Sequence, residues 1–321
     1  FDAPNWIAIG MAMRDWILAN HQQYKIDLIE VSDYGGAAIF LCDAQLPPLV
    51  ITGHGSLLQY SRYNFTVKDD SYKVVRKLEE LSFIHGDTVI SHSPLNKKDL
   101  EQLFNREIAF ARIPWEHRPL LTGGDQSNVT DKLVVVGGMQ PIKGIYDMIA
   151  AMEILKLKAP ALTLYWIGGD TWLAPGQQKM SPYLQQKYPA VWQQNFKWKD
   201  AQSFDDTQRD ILSASLVIIP ATFETFNYVA LEAALYQKPI IITDKAGAVA
   251  YFTHSVDAWI VPANNPEALA EAIIYLSNQP SLCHQLGVNA YETIKKIFDP
   301  KLIAADRLAI YQFTIQNRKN A

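Results

Sequence analysis

Short apolar runs bounded by turn residues recur along the chain at intervals that leave room for a helix between them. Runs of four to eight residues rich in Val, Ile and aromatics read as strands buried on both faces of a parallel sheet. In the second half they fall at 132–137, 162–167, 196–199, 215–220, 239–243 and 259–261. Between the first two, Ile145, Met148, Ile149, Met152 and Leu155 recur at helical spacing and Pro160 stops the pattern, which predicts a helix over 145–157 and a βαβ unit. Further helices are predicted at 208–213, 228–236, 266–278 and 281–296, completing a doubly wound α/β domain.

The first half repeats the rhythm with strands at 26–31, 48–52, 88–91 and 108–113, after an opening helix at 6–20. A helix in that place ordinarily follows a strand, so about one or two βα units are expected to be missing from this domain, supplied by an absent segment or a separate chain. Two prolines, Gly123-Gly124 and the lack of apolar periodicity mark a hinge. The expected layout is 1–113 as a partial first domain, 114–131 as linker, 132–299 as second domain and 300–321 as a helix across the domains. In that helix Leu302, Ile303, Ala305, Leu308, Ile310 and Tyr311 form one broad apolar face.

Composition narrows the classes. The 321 residues suit two domains, and 49% hydrophobic with 19% charged residues is ordinary globular usage. A net charge of −4 gives no general field for a nucleic-acid backbone or an anionic bilayer, so an anionic ligand has to be held locally. No apolar stretch approaches the ~20 residues that cross a bilayer. Cys42 and Cys283 stand apart, without zinc or redox spacing, and a cytoplasmic setting is expected. The acidic pairs Asp69-Asp70 and Asp205-Asp206 and the Asp33 turn read as solvated loops and caps, and no metal or cofactor is expected.

Three segments can carry chemistry. Gly137-Gly138-Met139-Gln140-Pro141-Ile142-Lys143-Gly144 lies where a strand ends and a helix begins, and free amides beside an ammonium suit a phosphate. It is not a Walker loop, because Lys143 precedes Gly144 and no Ser or Thr follows. The second runs from Pro220 to Leu235. It places Glu224 on a loop and Glu232 inside an apolar helix, where a carboxylate needs a polar partner, and the amides around Phe226, Asn227 and Tyr228 can cradle phosphate. The third is Thr52-Gly53-His54-Gly55, where His54 at a strand end can donate a hydrogen bond into a cleft. Trp198 reads as core or cleft packing and, with Lys197, as a further donor-binding candidate.

From Lys132 to about Tyr311 the chain resembles the retaining family 4 glycosyltransferases. The resemblance rests on Glu224 and Glu232 with seven residues between them, on Lys238-Pro239-Ile240-Ile241 leading to Thr243-Asp244, and on Val261-Pro262 through Leu269. Asp27-Leu28-Ile29, the Thr52–Gly55 turn and the segment 87–93 extend it to the first half. It implies a GT-B fold of two Rossmann-like, doubly wound parallel-sheet domains facing a cleft. It implies Lys143 on the donor diphosphate, Glu224 at the donor sugar, Glu232 on ribose and His54 near the sugar, with Thr225 among the donor-binding positions. Hexose transfer from a nucleotide diphosphate sugar, UDP-glucose-like, to a saccharide or lipid-linked acceptor is the implied activity, metal-independent and with retained configuration. A lipid-linked acceptor would bring peripheral contact with the inner face of the plasma membrane. Departures from the family pattern are Gly138 in place of an arginine, Thr225 and Asn227 in place of glycines, and Ala250 in place of a glutamate. They keep two alternatives open: a nucleotide-sugar-binding protein without turnover, and a sugar epimerase of the same fold.

Overall fold

A computed structural model describes residues 2–64, 68–115 and 131–320, which divide into two compact units. One unit comprises 2–62, 68–115 and 298–320; the other comprises 63–64 and 131–297. Of the predicted hinge, residues 116–130 lie outside the described residues.

In the first unit the chain runs α1 (Ala3–Asn20), β1 (Ile29–Ser32), a 3-10 stretch Tyr34–Leu41, β2 (Leu49–Gly53), α2 (Leu57–Tyr63), α3 (Asp70–His85), β3 (Thr88–Ser91), α4 (Pro94–Phe104) and β4 (Ala109–Phe110). The four strands pair in parallel in the order β1-β2-β3-β4. β2 and β3 are buried along their whole length, which is why they read as unbroken apolar runs. Helix starts are capped as the sequence dictates. Asp69 accepts the Tyr72 amide of α3 at 2.7 Å, and Ser93 accepts the Asn96 amide of α4 at 3.1 Å.

The second unit contains β5 (Lys132–Val136), α5 (Ile145–Lys158), β6 (Thr163–Ile167), α6 (Met180–Lys187), α7 (Pro189–Gln194), β7 (Phe196–Lys199), α8 (Phe204–Leu212), β8 (Leu216–Ile219), α9 (Tyr228–Leu235), β9 (Ile240–Thr243), β10 (Trp259–Val261), α10 (Pro266–Ser277) and α11 (Pro280–Ile297). Its six parallel strands take the order β10-β9-β8-β5-β6-β7. The chain therefore winds outward from β5 in one direction and from β8 in the other, and the order reverses between those two strands. Leu133, Leu164, Trp166, Ile145, Met148 and Met152 are buried in the core between sheet and helices.

α12 (Pro300–Asn320) belongs to the first unit. Thr314 bonds Thr88 at 2.7 Å, Arg318 pairs with Asp87 at 2.7 Å, and Arg307 and Tyr311 both bond Glu30. The buried stripe is narrower than the predicted face. Ile303, Ile310, Tyr311 and Thr314 turn inward, whereas Leu302, Ala305 and Leu308 are exposed. Among the described residues no helix is long and apolar enough to cross a membrane.

Candidate functional site

The sheet of the second unit reverses its strand order between β5 and β8, and in open α/β sheets ligands bind beyond the carboxyl ends of the strands at such a point. The loop after β5 carries Gly137, Gly138 and Lys143; the loop after β8 carries Glu224 to Tyr228. The two loops touch. Lys143 Nζ lies 2.5 Å from Glu224 Oε2, and both side chains are partly exposed, at 29% and 16%.

Backbone contacts fix this pair. Thr222 donates its N–H to the Ile142 carbonyl at 3.0 Å, directly before Lys143. Glu224 donates to the Lys245 carbonyl at 2.9 Å and accepts from the Gly247 amide at 2.9 Å, so the loop after β9 braces it. Gly144 adopts φ +79°, and a Cβ there would stand 1.8 Å from the Pro220 carbonyl oxygen. Only glycine lets the two loops approach this closely. Lys143 lies over Gly137, whose added Cβ would sit 3.6 Å from the lysine Cδ.

Asn227, one of the residues that departs from the family pattern, takes φ +100°, a conformation side chains rarely adopt. Its Oδ1 accepts the Ala230 amide at 3.2 Å, capping α9, and its Nδ2 lies 3.5 Å from Glu224 Oε2. The backbone thus keeps the glycine-like turn, and the amide supplies a cap in exchange. Phe226 is buried with its ring edge-on to Tyr228 and Tyr251, and Thr225 is partly buried. The first amides of α9 have no acceptor within the helix, so together with Lys143 they make a cationic and donor-rich rim beside an acceptor carboxylate.

The remaining candidates are placed differently. Glu232 is half-buried in α9, five residues into the helix. Gly138 is partly exposed near Gln140. Lys197 and Trp198 are neighbours on β7 and so point to opposite faces of the sheet. Lys197 is exposed, whereas Trp198 packs on the core with its indole N–H on the Gly168 carbonyl at 2.9 Å, the packing role among its two readings.

His54 lies in the first unit, just after β2, with its side chain exposed. Its backbone N–H and that of Gly55 donate to Asp33, at 3.0 and 3.1 Å, and its ring stands 5.6 Å from that of His92. Asp33 corrects the sequence reading of a solvated turn: it is fully buried. Burial pushes its carboxyl above the usual range, and the amide bonds and the nearby imidazole pull it back only in part. Glu79 joins it, accepting from Gly35 at 3.2 Å and Leu57 at 2.7 Å. Glu79 was not singled out by sequence and Asp33 only as part of a solvated turn; the place of Asp33 before Gly35-Gly36 at a strand end was the available signal of its burial. His92 Nδ1 donates to the Ala111 carbonyl at 3.0 Å, and burial holds its imidazole down to about 4.

The family model for glycosyl transferases group 1 matches residues 126–293, just over half of the chain, including both loops of the site. The chain belongs to the group 1 glycosyl transferases. The resemblance read from the Glu224 and Glu232 block is thereby borne out. This group 1 glycosyl transferase is 23% identical to a Mycobacterium tuberculosis glycogen synthase over 97% of its own length and 76% of the relative's. It is also 23% identical to an uncharacterised glycosyltransferase of Methanocaldococcus jannaschii, over 77% of this chain and 65% of that one. The match thus spans slightly less than two thirds of the archaeal relative. Among solved structures, sucrose-phosphate synthase from Thermosynechococcus elongatus superposes with a TM-score of 0.74 at 19% identity, covering 95% of this chain and 78% of that one. Anabaena HepE, solved in complex with UDP-glucose, gives 0.71 at 17% identity, over 93% and 82%. These likenesses establish the GT-B fold of two all-parallel α/β domains.

Proposed function

We propose that this group 1 glycosyl transferase moves a hexose from a nucleoside diphosphate sugar, a UDP-sugar foremost, to a saccharide or lipid-linked acceptor with retained configuration. The observation that carries the reading is the Lys143–Glu224 pair at the point where the strand order reverses. A lysine offers three donors to an anionic oxygen, and a carboxylate accepts from sugar hydroxyls, so one ligand with diphosphate and sugar uses both. That HepE was solved with UDP-glucose supports the choice of donor.

In the proposed reaction the bond from the anomeric carbon to the diphosphate oxygen breaks, and its electron pair leaves with the diphosphate. Lys143 and the first amides of α9 stabilise that developing charge. The acceptor hydroxyl oxygen forms the new bond on the same face, and its proton passes to the departing diphosphate. Glu224 orients the sugar. Glu232 accepts from the ribose hydroxyls. A resident metal is not required by this scheme.

Incubation with a panel of UDP- and GDP-sugars, with free nucleotide measured, tests the reading. Release of nucleotide by the parent chain, lost in Lys143→Met and Glu224→Gln, is expected. A melting-temperature shift with nucleotide but no turnover identifies a binding protein; an altered nucleotide sugar without nucleotide release identifies an epimerase. No shift with either nucleotide ends the donor assignment.

A further inference from the structure

Tyr63 ends α2 and Asn64 follows it, but both pack within the second unit, against the residues that immediately precede Lys143 and Glu224. Asn64 is buried, 6% exposed, and its Oδ1 accepts the Ile142 N–H at 3.0 Å. Ile142 stands at the start of the short 3-10 turn Pro141–Lys143, where an N–H has no acceptor within the turn. Asn64 supplies that acceptor. The Ile142 carbonyl is held in turn by Thr222, so both polar groups of the residue before Lys143 are fixed.

Tyr63 does the same for the other loop by a different contact. Its ring stacks on Phe223 with centroids 4.9 Å apart and planes 2° from parallel. Phe223 is 4% exposed and directly precedes Glu224. Two consecutive residues therefore seat the two loops whose tips meet at 2.5 Å. The cost of this arrangement is visible: among the described residues the buried Asn64 Nδ2 has no hydrogen-bond partner. A buried amide left half satisfied is disfavoured unless its other half is needed. The amide orientation follows from the Ile142 bond, since the flipped amide would set two N–H groups face to face.

We infer that Tyr63 and Asn64 are positioning residues that hold Lys143 and Glu224 in contact, and thereby set the rate of the donor step without touching the donor. The inference rests on the reading of Lys143 and Glu224 as the donor pair. It concerns kcat more than binding, because misplacing a group by about 1 Å costs on the order of 10²-fold in rate.

The experiment measures kcat and KM for the sugar nucleotide that the parent chain turns over, nucleotide affinity by calorimetry, and melting temperature, all on the full chain. Asn64→Ala and Tyr63→Ala are expected to lower kcat roughly tenfold or more while KM changes less. Asn64→Asp keeps an acceptor for Ile142, so its kcat is expected to stay well above that of Asn64→Ala even though the buried carboxyl lowers its melting temperature, and Tyr63→Phe keeps the stacked ring and is expected to stay near the parent. Tyr63→Leu, which keeps apolar bulk without the ring, serves where an alanine variant does not fold, and it too is expected to lose kcat. A purely structural role would lower the melting temperature and leave kcat unchanged at a temperature where each variant is folded; that result overturns the inference. If Lys143→Met is inactive while the Tyr63 and Asn64 variants match the parent, the inference alone has failed. If Lys143→Met turns over like the parent, or no sugar nucleotide is turned over and no nucleotide bound, the donor reading has failed and takes the inference with it.

Discussion

Lys143 Nζ and Glu224 Oε2, 81 positions apart in the chain, meet at 2.5 Å beyond the carboxyl ends of β5 and β8. Neither charge stands alone: the ammonium neutralises the carboxylate, and Asn227 adds its amide at 3.5 Å on the same oxygen. Such a pair is a poor source of stability for its exposure and a good source of oriented charge.

Breaking the pair should therefore separate activity from stability. Lys143→Met and Glu224→Gln are each expected to cut sugar-nucleotide turnover about 10²–10³-fold, the usual cost of one electrostatic contact made in the transition state. The melting temperature should move little, because partly exposed ion pairs contribute roughly 0–1 kcal/mol. The double variant should lose much less than the product of the two single losses, since the groups act as a unit. Steady-state kinetics with parallel thermal melts check all three statements; additive losses would show that the two side chains act independently.

Gly144→Ala tests the close approach of the two loops. The added methyl meets the Pro220 carbonyl at 1.8 Å, and φ +79° is strained for alanine in any case. We expect a loss of about 1–3 kcal/mol or more in chemical denaturation, together with loss of turnover as Lys143 is displaced from Glu224. An unchanged denaturation midpoint would mean that the loops separate at no cost.

Asn227 balances strain against a cap. Asn227→Gly relieves φ +100° but gives up the bond to Ala230, so its stability should stay near that of the parent. Asn227→Ala keeps the strain and loses the cap, for an expected loss of about 1–2 kcal/mol. The order of denaturation midpoints, glycine above alanine, is the measurement; the reverse order would show that the turn is not strained.

The ten strands were legible as short apolar or alternating runs: 88–91, 196–199 and 259–261 coincide with β3, β7 and β10, β3 being buried throughout and β7 alternating Phe196 and Trp198 with Lys197 and Lys199. Predicted boundaries elsewhere overrun mainly at 26–31 and 108–113, where β1 and β4 begin later and β4 shrinks to two residues. α3 escaped notice for a physical reason. Its buried face includes Glu79 and Ser82 beside Tyr72, Val75 and Phe83, so polar residues interrupt the apolar period. The loops that carry Lys143 and Glu224 were legible as strand-to-helix turns, but their contact follows from sheet order, which no local pattern encodes. Asp33 and Asn64 were invisible as buried groups, because their partners are backbone amides remote in sequence.

Glu79 gives the pH dependence. Burial raises its carboxyl most, the nearby Asp33 raises it further, and the Leu57 and Gly35 amides lower it, leaving it at about 8. In the unfolded chain a glutamate titrates near its ordinary value of 4.5. The folded state thus binds the proton more tightly, so this group contributes stability that is fully present below pH 4.5 and is lost as pH rises through about 8. Asp33, also raised by burial, acts with the same sign. Glu79→Gln cannot ionise, so its melting temperature should fall less steeply than the parent's over that window, with the remaining slope due to Asp33 and other groups. The two carboxyls accept the amides of Gly35, Leu57, His54 and Gly55; those bonds favour the ionised form, but the desolvation of a buried charge outweighs them, so the same titration should make opening of the turn that carries His54 more frequent. Amide hydrogen exchange at residues 54–57, followed from pH 6 to pH 8.5 and corrected for intrinsic rates, should show protection falling in the parent and falling less in the glutamine variant. Parallel melting curves for the two proteins would mean that Glu79 is already ionised throughout.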